Sequence, residues 1–277
     1  VGGPVGLSAT ANIFLGQVEA PLLVRPYLAT MSKNELLILM TVGMSTIAGS
    51  VMVIYTTMLA PIYGLGLIGH FLTASLISVP AGIMYANMMI PSDTKTDFPA
   101  DDSSKMYSST VDAITRGTQS GIDIFLNVAA MLIVVMALVY LVNAMLGIFP
   151  DIQGQPLTME RIVGWIFAPL AWCMGIPWQE SQAAGELLGV KTILNEFVAY
   201  IYLADTSTYV LSEKSSLIML YALCGFANFS SVGILLSGMS AMVPERREDL
   251  IAVSLKALWG ALLASCMTGF IVGILYL

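Results

Sequence analysis

The stretch LLILMTVGMSTIAGSVMVIYTTMLA, residues 36–60, decides the fold class. It contains no Asp, Glu, Lys or Arg, and the charge-free run that it opens continues for 57 residues, from Leu36 to Ser92. A helix that crosses a bilayer needs about 20 apolar residues. The run is therefore long enough for two membrane spans, with a turn near Pro61–Gly66.

The composition of the whole chain points the same way. Hydrophobic residues make up 57% of the 277 residues and charged residues only 10%, whereas a soluble globular domain carries about 25% charged residues. The fold class that we predict is an all-α polytopic membrane protein. Its spans are expected at about Leu36–Leu59, Gly64–Ile90, Ile122–Phe149, Ser215–Met239 and Ala252–Leu277.

The charge distribution gives no indication of nucleic acid as a partner, so none is expected, and it suggests an orientation. The net charge is −7 and there is no basic patch. If two halves of the chain cross the membrane in opposite directions, eight of the eleven Lys and Arg residues fall on one side, and the positive-inside rule makes that side cytoplasmic. The eight are Arg25, Lys33, Lys95, Lys105, Arg116, Arg246, Arg247 and Lys256.

An internal repeat suggests such halves. NIFLGQVEAPLLV, followed by MSKNELLILMTVGMSTIAGSV, is echoed by TILNEFVAYIYLA, followed by LSEKSSLIMLYALCGFANFSSVGI. Each half has a short apolar segment around a glutamate, a Ser-Lys turn and a long helix that Gly and Ser or Thr interrupt. The segment Glu160–Asp205 also contains several Gly and Pro residues. Short, interrupted segments in corresponding positions predict an inverted-repeat transporter with two re-entrant hairpins and a midplane site.

Polar side chains in these segments are the candidate binding groups. A carboxylate in hydrocarbon costs about 3 kcal/mol even on lenient scales, so Glu19 and Glu196 require a reason. Each glutamate either serves a function or caps a short helix or pairs with a cation such as Lys191. Amides and hydroxyls, with an aromatic ring, suit a neutral sugar-like or base-like solute; these groups are Gln17, Asn228, Ser231 and Phe226.

A second polar cluster has two interpretations. Asn12 and the interruption at Thr46–Gly49 offer oxygen ligands to a small cation. Small residues of this kind equally suit close helix packing in membranes. An enzyme is not predicted, because the sequence has no HExxH or paired-Cys motif and its one histidine, His70, is remote from any nucleophile-like motif.

NIFLGQVEAPLLVRPYL, MTVGMSTIAGSV, LNEFVAY and GFANFSSVGI together resemble the concentrative nucleoside transporters, in the same order along the chain. The resemblance implies eight spanning helices and two re-entrant hairpins, assembled as a homotrimer whose transport domains move like elevators within a scaffold. It also implies that this chain, which begins without methionine, corresponds to the C-terminal two-thirds and lacks the first three spans.

The resemblance divides the chain into four parts. Residues 1–92 hold part of the first hairpin and two transport-domain spans, and residues 93–121 form a polar connector. Residues 122–150 form a scaffold helix, and residues 151–277 hold an interfacial helix, the second hairpin and two further transport-domain spans.

The resemblance also assigns roles to individual residues. Gln17, Val18, Glu19 and Val51 match positions that contact the nucleobase; Glu196, Asn228 and Ser231 match positions that bind the ribose, with Phe226 nearby. Sodium would be bound by the side chains of Asn12 and Thr46 and the carbonyls of Leu15 and Ile47. Val18 departs from the family, which usually has Thr or Ser there, so the preference for pyrimidine or purine stays open.

The expected function is sodium-coupled nucleoside import across the cytoplasmic membrane, with nucleoside, sodium and lipid as partners and no cofactor beyond the coupling ion. One alternative is proton coupling. Another is a membrane sensor that binds nucleosides without concentrating them. The number of ions per nucleoside is left open.

Overall fold

The computed structural model describes residues 1–64, 66–97, 108–152, 154 and 156–276. These residues form twelve α-helices. The first half, residues 1–97, contains α1 (Gly3–Ala11), α2 (Glu19–Leu22), α3 (Lys33–Ser45), α4 (Gly49–Tyr63) and α5 (Leu67–Met89). A long helix, α6 (Thr110–Leu146), follows. The second half, residues 156–276, contains α7 (Met159–Cys173), α8 (Trp178–Ile193), α9 (Glu196–Ala204), α10 (Glu213–Ala222), α11 (Phe229–Met242) and α12 (Arg247–Leu275).

Polar side chains fix where six of the twelve described helices begin, and four of these helices lie in the internal repeat. Ser32, Asn195, Ser212 and Asn228 are the N-cap residues of α3, α9, α10 and α11, and each accepts a hydrogen bond from a backbone N–H in the first turn. Such a cap replaces water for N–H groups that have no partner within the helix. In an apolar chain the caps therefore set helix boundaries that hydrophobicity alone does not.

Two long helical segments, α3–α4 and α10–α11, are each interrupted by a short stretch that is not helical. The chain between α3 and α4 is extended at Thr46, with φ −114° and ψ 174°, and the chain between α10 and α11 passes through Gly225 at φ 121°. The two interruptions lie against each other, because the N–H of Phe226 donates to the carbonyl oxygen of Thr46 at 3.3 Å. Freed backbone groups are thus paired inside the protein, which is the condition for such breaks at membrane depth.

Helix α3 lies at the centre of the fold. Every residue from Asn34 to Ser45 is buried, and α3 contacts α1, α5, α11 and α12. Helix α12 in turn packs against α5, α10 and α11. Helix α6 is different, since most of its described side chains are exposed and it contacts α11 and α7.

Among the described residues, three helical segments are long and apolar enough to cross a membrane: Lys33–Tyr63, which joins α3 and α4, Leu67–Met89 and Pro244–Leu275. Shorter apolar helices cover Met136–Leu146 and Phe229–Met242. Three of the predicted spans therefore correspond to α3–α4, α5 and α12. The chain is a helical membrane protein.

The predicted segment Ser215–Met239 consists of two helices, α10 and α11, because the predicted interruption lies between Ala222 and Phe229. The predicted change from connector to scaffold helix at residues 121–122 is not a helix boundary, since α6 begins at Thr110 and continues through it. Its first turns are polar and helical, with an ion pair between Arg116 and Asp112 one turn apart. Residues 98–107 of the connector lie outside the described residues.

Candidate functional site

A cavity of about 330 Å³ lies where the two helix interruptions meet the turns before α2 and α9. All eight residues predicted to contact the solute line it: Gln17, Val18, Glu19, Val51, Glu196, Phe226, Asn228 and Ser231. Glu19 and Glu196 are far apart in sequence, but each is the first residue of a short helix at this cavity. The structure thus brings together residues from both halves of the chain.

Glu196 is the most constrained acidic group of the site. Glu196 is only 5% exposed. One carboxylate oxygen accepts a hydrogen bond from the hydroxyl of Tyr55 at 2.8 Å, and the other accepts from the amide of Asn228 at 2.9 Å. Hydrogen bonds to an ionised acceptor are the stronger kind. The carboxylate is therefore held in place by residues of α4 and α11.

Asn228 has two roles in this arrangement. As the N-cap of α11, its side-chain oxygen accepts from the N–H of Ser231 at 2.7 Å. That bond leaves the amide nitrogen pointing towards Glu196, to which it donates. Helix capping and the position of the carboxylate are consequently fixed by the same side chain.

The groups from the first half are less constrained. Gln17 is 8% exposed, and its side-chain oxygen has no hydrogen-bond partner among the described residues. Glu19 is exposed, and its carboxylate lies close above Gly16. Val18 packs towards α11 so closely that a Cβ placed on Gly238 would lie 2.7 Å from its Cγ1. Val18 thus contributes packing at a position where a hydroxyl was expected from the resemblance.

Two side chains of the predicted ion site are in contact. The amide nitrogen of Asn12, the C-cap of α1, donates to the hydroxyl of Thr46, the C-cap of α3, at 3.0 Å. The amide oxygen of Asn12 is buried and has no partner among the described residues. Leu15 follows Asn12 in the same turn, and Ile47 follows Thr46 in the α3–α4 interruption. Within the described part of the chain, no cluster of His, Cys, Asp and Glu could bind a metal ion.

The cavity wall includes eight residues that were not among the predicted contacts, and Tyr55, Asn195 and Phe197 are three of them. Tyr55 lies one helical turn after Val51, so the spacing of four residues places both on one face of α4. Its ring centroid is 4.9 Å from that of Tyr200 and 6.2 Å from that of Phe197. The spacing from Val51 was an available signal, but it does not reveal that the hydroxyl contacts Glu196.

Broken helices, short helix pairs and a cavity that carries several polar groups inside an apolar bundle define the class of protein: a membrane transporter. Residues 70–273 match the family model described as "Na+ dependent nucleoside transporter C-terminus". The chain belongs to this family, the concentrative nucleoside transporters, as the motifs predicted. It is a family of transporters rather than enzymes.

The similarity extends over nearly the whole chain. Nucleoside permease NupC of Helicobacter pylori is 37% identical, in an alignment that covers 97% of this chain and 64% of that protein. Sodium/nucleoside cotransporter 1 of Mus musculus is 35% identical, with 98% of this chain and 44% of the relative covered. The structure of CNTnw in an inward-facing substrate-bound state matches 99% of this chain and 65% of its own, at 35% identity and a TM-score of 0.83. The chain thus spans less than two thirds of the length of these relatives.

Proposed function

We propose that this protein is a sodium-coupled symporter that imports nucleosides across the cytoplasmic membrane. The observation that carries the proposal is the buried Glu196 carboxylate, which Tyr55 and Asn228 hold at the wall of the cavity. The cavity volume of about 330 Å³ lies within the usual range of about 300–1,000 Å³ for small-molecule sites. Family membership, and relatives named for nucleoside transport, support the substrate class.

One end of the proposed binding site binds the sugar and the other end binds the base, and both ends carry polar groups. Glu196, Asn228 and Ser231 bind ribose hydroxyls, because a carboxylate accepts from two hydroxyls at once. At the other end, the free oxygen of Gln17 accepts an N–H of the base, and Val51 and Phe226 cover its faces. These roles extend the predictions that the sequence motifs made.

Sodium is the proposed coupling ion, and the residues around Asn12 fit it. Hard cations prefer oxygen ligands, and the unpartnered amide oxygen of Asn12 lies beside the hydroxyl of Thr46. Thr46 is at the C-terminal end of α3, where the helix dipole favours positive charge. The carbonyl oxygens of Leu15 and Ile47 would complete the set.

The transport movement follows the family pattern in our proposal. Helices α1–α2 and α8–α9 are the two re-entrant hairpins, since α8 has 16 residues and α9 only 9, and about 20 are needed to cross a bilayer. Helix order in α1–α5 repeats in α8–α12, which supports an inverted repeat. Helix α6, with its exposed surface, belongs to the scaffold of a homotrimer, past which the transport domain moves as an elevator.

The test is uptake of labelled uridine and adenosine by the full-length gene product. Uptake is expected in sodium buffer and is expected to fall to background in choline buffer, because the ion site then lacks its ligand. Proteoliposomes with and without a sodium gradient separate a symporter from a sensor that binds nucleosides without concentrating them. Uptake driven by a proton gradient in choline would establish the proton-coupled alternative and contradict our choice of ion.

A second experiment tests the binding geometry. Tyr55→Phe removes one donor to Glu196 and keeps the ring that packs on Tyr200. Hydrogen bonds to charged groups contribute about 1.5–3 kcal/mol, so the KM for nucleoside is expected to rise by about tenfold or more. The matched control is Tyr140→Phe, at a residue that is 78% exposed on α6. Equal KM values for the two variants would show that Tyr55 does not position the carboxylate.

A further inference from the structure

Lys191 is a buried cation that takes no part in the proposed binding site. It lies in the last turn of α8, and its residue is 0% exposed. Its ammonium group donates a hydrogen bond to the carbonyl oxygen of Ala222 at 2.8 Å. Charged side chains are rare and costly at such positions in membrane proteins, so each one indicates a functional role.

Burial opposes the charge of the ammonium, and its neighbours offset part of that cost. Ala222 is the last residue of α10, and a helix C-terminus carries roughly half a negative elementary charge. Glu196 also attracts the ammonium electrostatically, although this effect is weaker than that of burial. The ion pairs of the described residues, however, do not include one between these two side chains. Lys191 is therefore attached to the helix end and compensates the charge of Glu196 from a distance.

A similar contact between two helix ends exists in the first half, with different chemistry. Asn12, at the end of α1, contacts Thr46 at the end of α3. Lys191, at the end of α8, contacts Ala222 at the end of α10. In both halves, a side chain from a short helix reaches the C-terminus of an interrupted one. The first half leaves a buried amide oxygen on Asn12 without a partner among the described residues, whereas the second half places an ammonium group at the end of α10.

We propose that the ammonium of Lys191 is a permanently attached cation. In the second half of the chain it takes the place that the mobile sodium ion takes in the first half. Lys191 is then a positioning residue that acts through Glu196 and the end of α10. One consequence is that the transporter couples one sodium ion, not two, to each nucleoside. This inference rests on the proposed ion site at Asn12 and Thr46.

Sodium binding to the purified full-length protein tests the proposal without requiring transport. The unfolding temperature is measured as sodium replaces choline, for the wild type and for Lys191→Ser, which leaves space and an oxygen ligand. The wild type is expected to show one saturable site. The variant is expected to show two, with the Hill coefficient of sodium-dependent uptake rising from about one towards two. Lys191→Arg keeps the charge and is expected to retain one site, as is the exposed control Lys256→Ser.

The outcomes separate the proposals. Two sodium sites in the wild type, or a single unchanged site in folded Lys191→Ser, would overturn the role of Lys191. One sodium site without any nucleoside uptake would overturn the proposed function and leave the role of Lys191 intact. No sodium binding in either protein would contradict both. If Lys191→Ser does not fold, the number of charges that the wild type transports with each nucleoside is measured instead. Two charges per nucleoside would overturn the inference.

Discussion

Replacing Glu196 by Gln is expected to abolish nucleoside uptake while the protein remains in the membrane. The carboxylate accepts from Tyr55 and Asn228 on the protein side, and the proposed site directs its remaining lone pairs to the ribose. An amide presents one acceptor oxygen and one donor nitrogen, so Gln keeps one of the two acceptor oxygens, and its nitrogen can only donate, for example to the hydroxyl of Tyr55. Hydrogen bonds to a charged group contribute about 1.5–3 kcal/mol, and the ribose loses an acceptor in addition. Uptake is expected to fall by about a hundredfold or more.

The matched control is Glu213→Gln, the same change at an exposed residue in the first turn of α10. Labelled-uridine uptake and the amount of protein in the membrane are measured for both variants. Glu213→Gln is expected to transport like the wild type. Undiminished uptake by Glu196→Gln would refute the assignment of this carboxylate to the ribose.

Gly225→Ala is expected to destabilise the fold and to eliminate uptake with it. The backbone at Gly225 has φ 121°, a conformation that costs other residues about 1–3 kcal/mol. A Cβ there would also lie 2.6 Å from the carbonyl oxygen of Ser45, in the opposing interruption. Because both obstacles are backbone, no side-chain movement relieves them. The free energy of unfolding is expected to fall by about 3 kcal/mol or more.

Gly117→Ala provides the comparison. A Cβ at Gly117 meets no atom within 4 Å, and alanine is the better helix former by about 1 kcal/mol. Thermal unfolding of both purified variants is the measurement, with folded yield as a second readout. A Gly225→Ala protein as stable as wild type would mean that the two interruptions do not need their close contact.

The sequence identified the membrane environment and the polar groups inside the apolar segments because these depend on sums over local composition. Transfer of a helix into a bilayer depends on its total hydrophobicity, so charge-free runs identify membrane segments without knowledge of their neighbours. Carboxylates and amides inside such runs, as at Glu196 and Asn228, stand out for the same reason. Their grouping around one cavity agrees with the sequence-based set, and their roles in binding stay predictions.

Polarity did not locate the start of α6. The segment before Ile122 contains Asp112 and Arg116 and was expected to be part of a polar connector, whose second half could form an amphipathic helix. These two charges are compatible with a helix because they form an ion pair one turn apart. Polarity therefore predicts contact with water, but it does not separate an exposed helix from the apolar helix that continues it.

By itself, the sequence determined that the chain is a helical membrane protein of this transporter family and which polar groups lie within its apolar segments. Only the tertiary structure decided how those groups are paired: Tyr55 with Glu196, Lys191 with the end of α10, and Phe226 with Thr46. The reason is physical. The cost of burying a polar group is a property of the residue, whereas its compensation depends on a partner that the fold brings from a distant part of the chain.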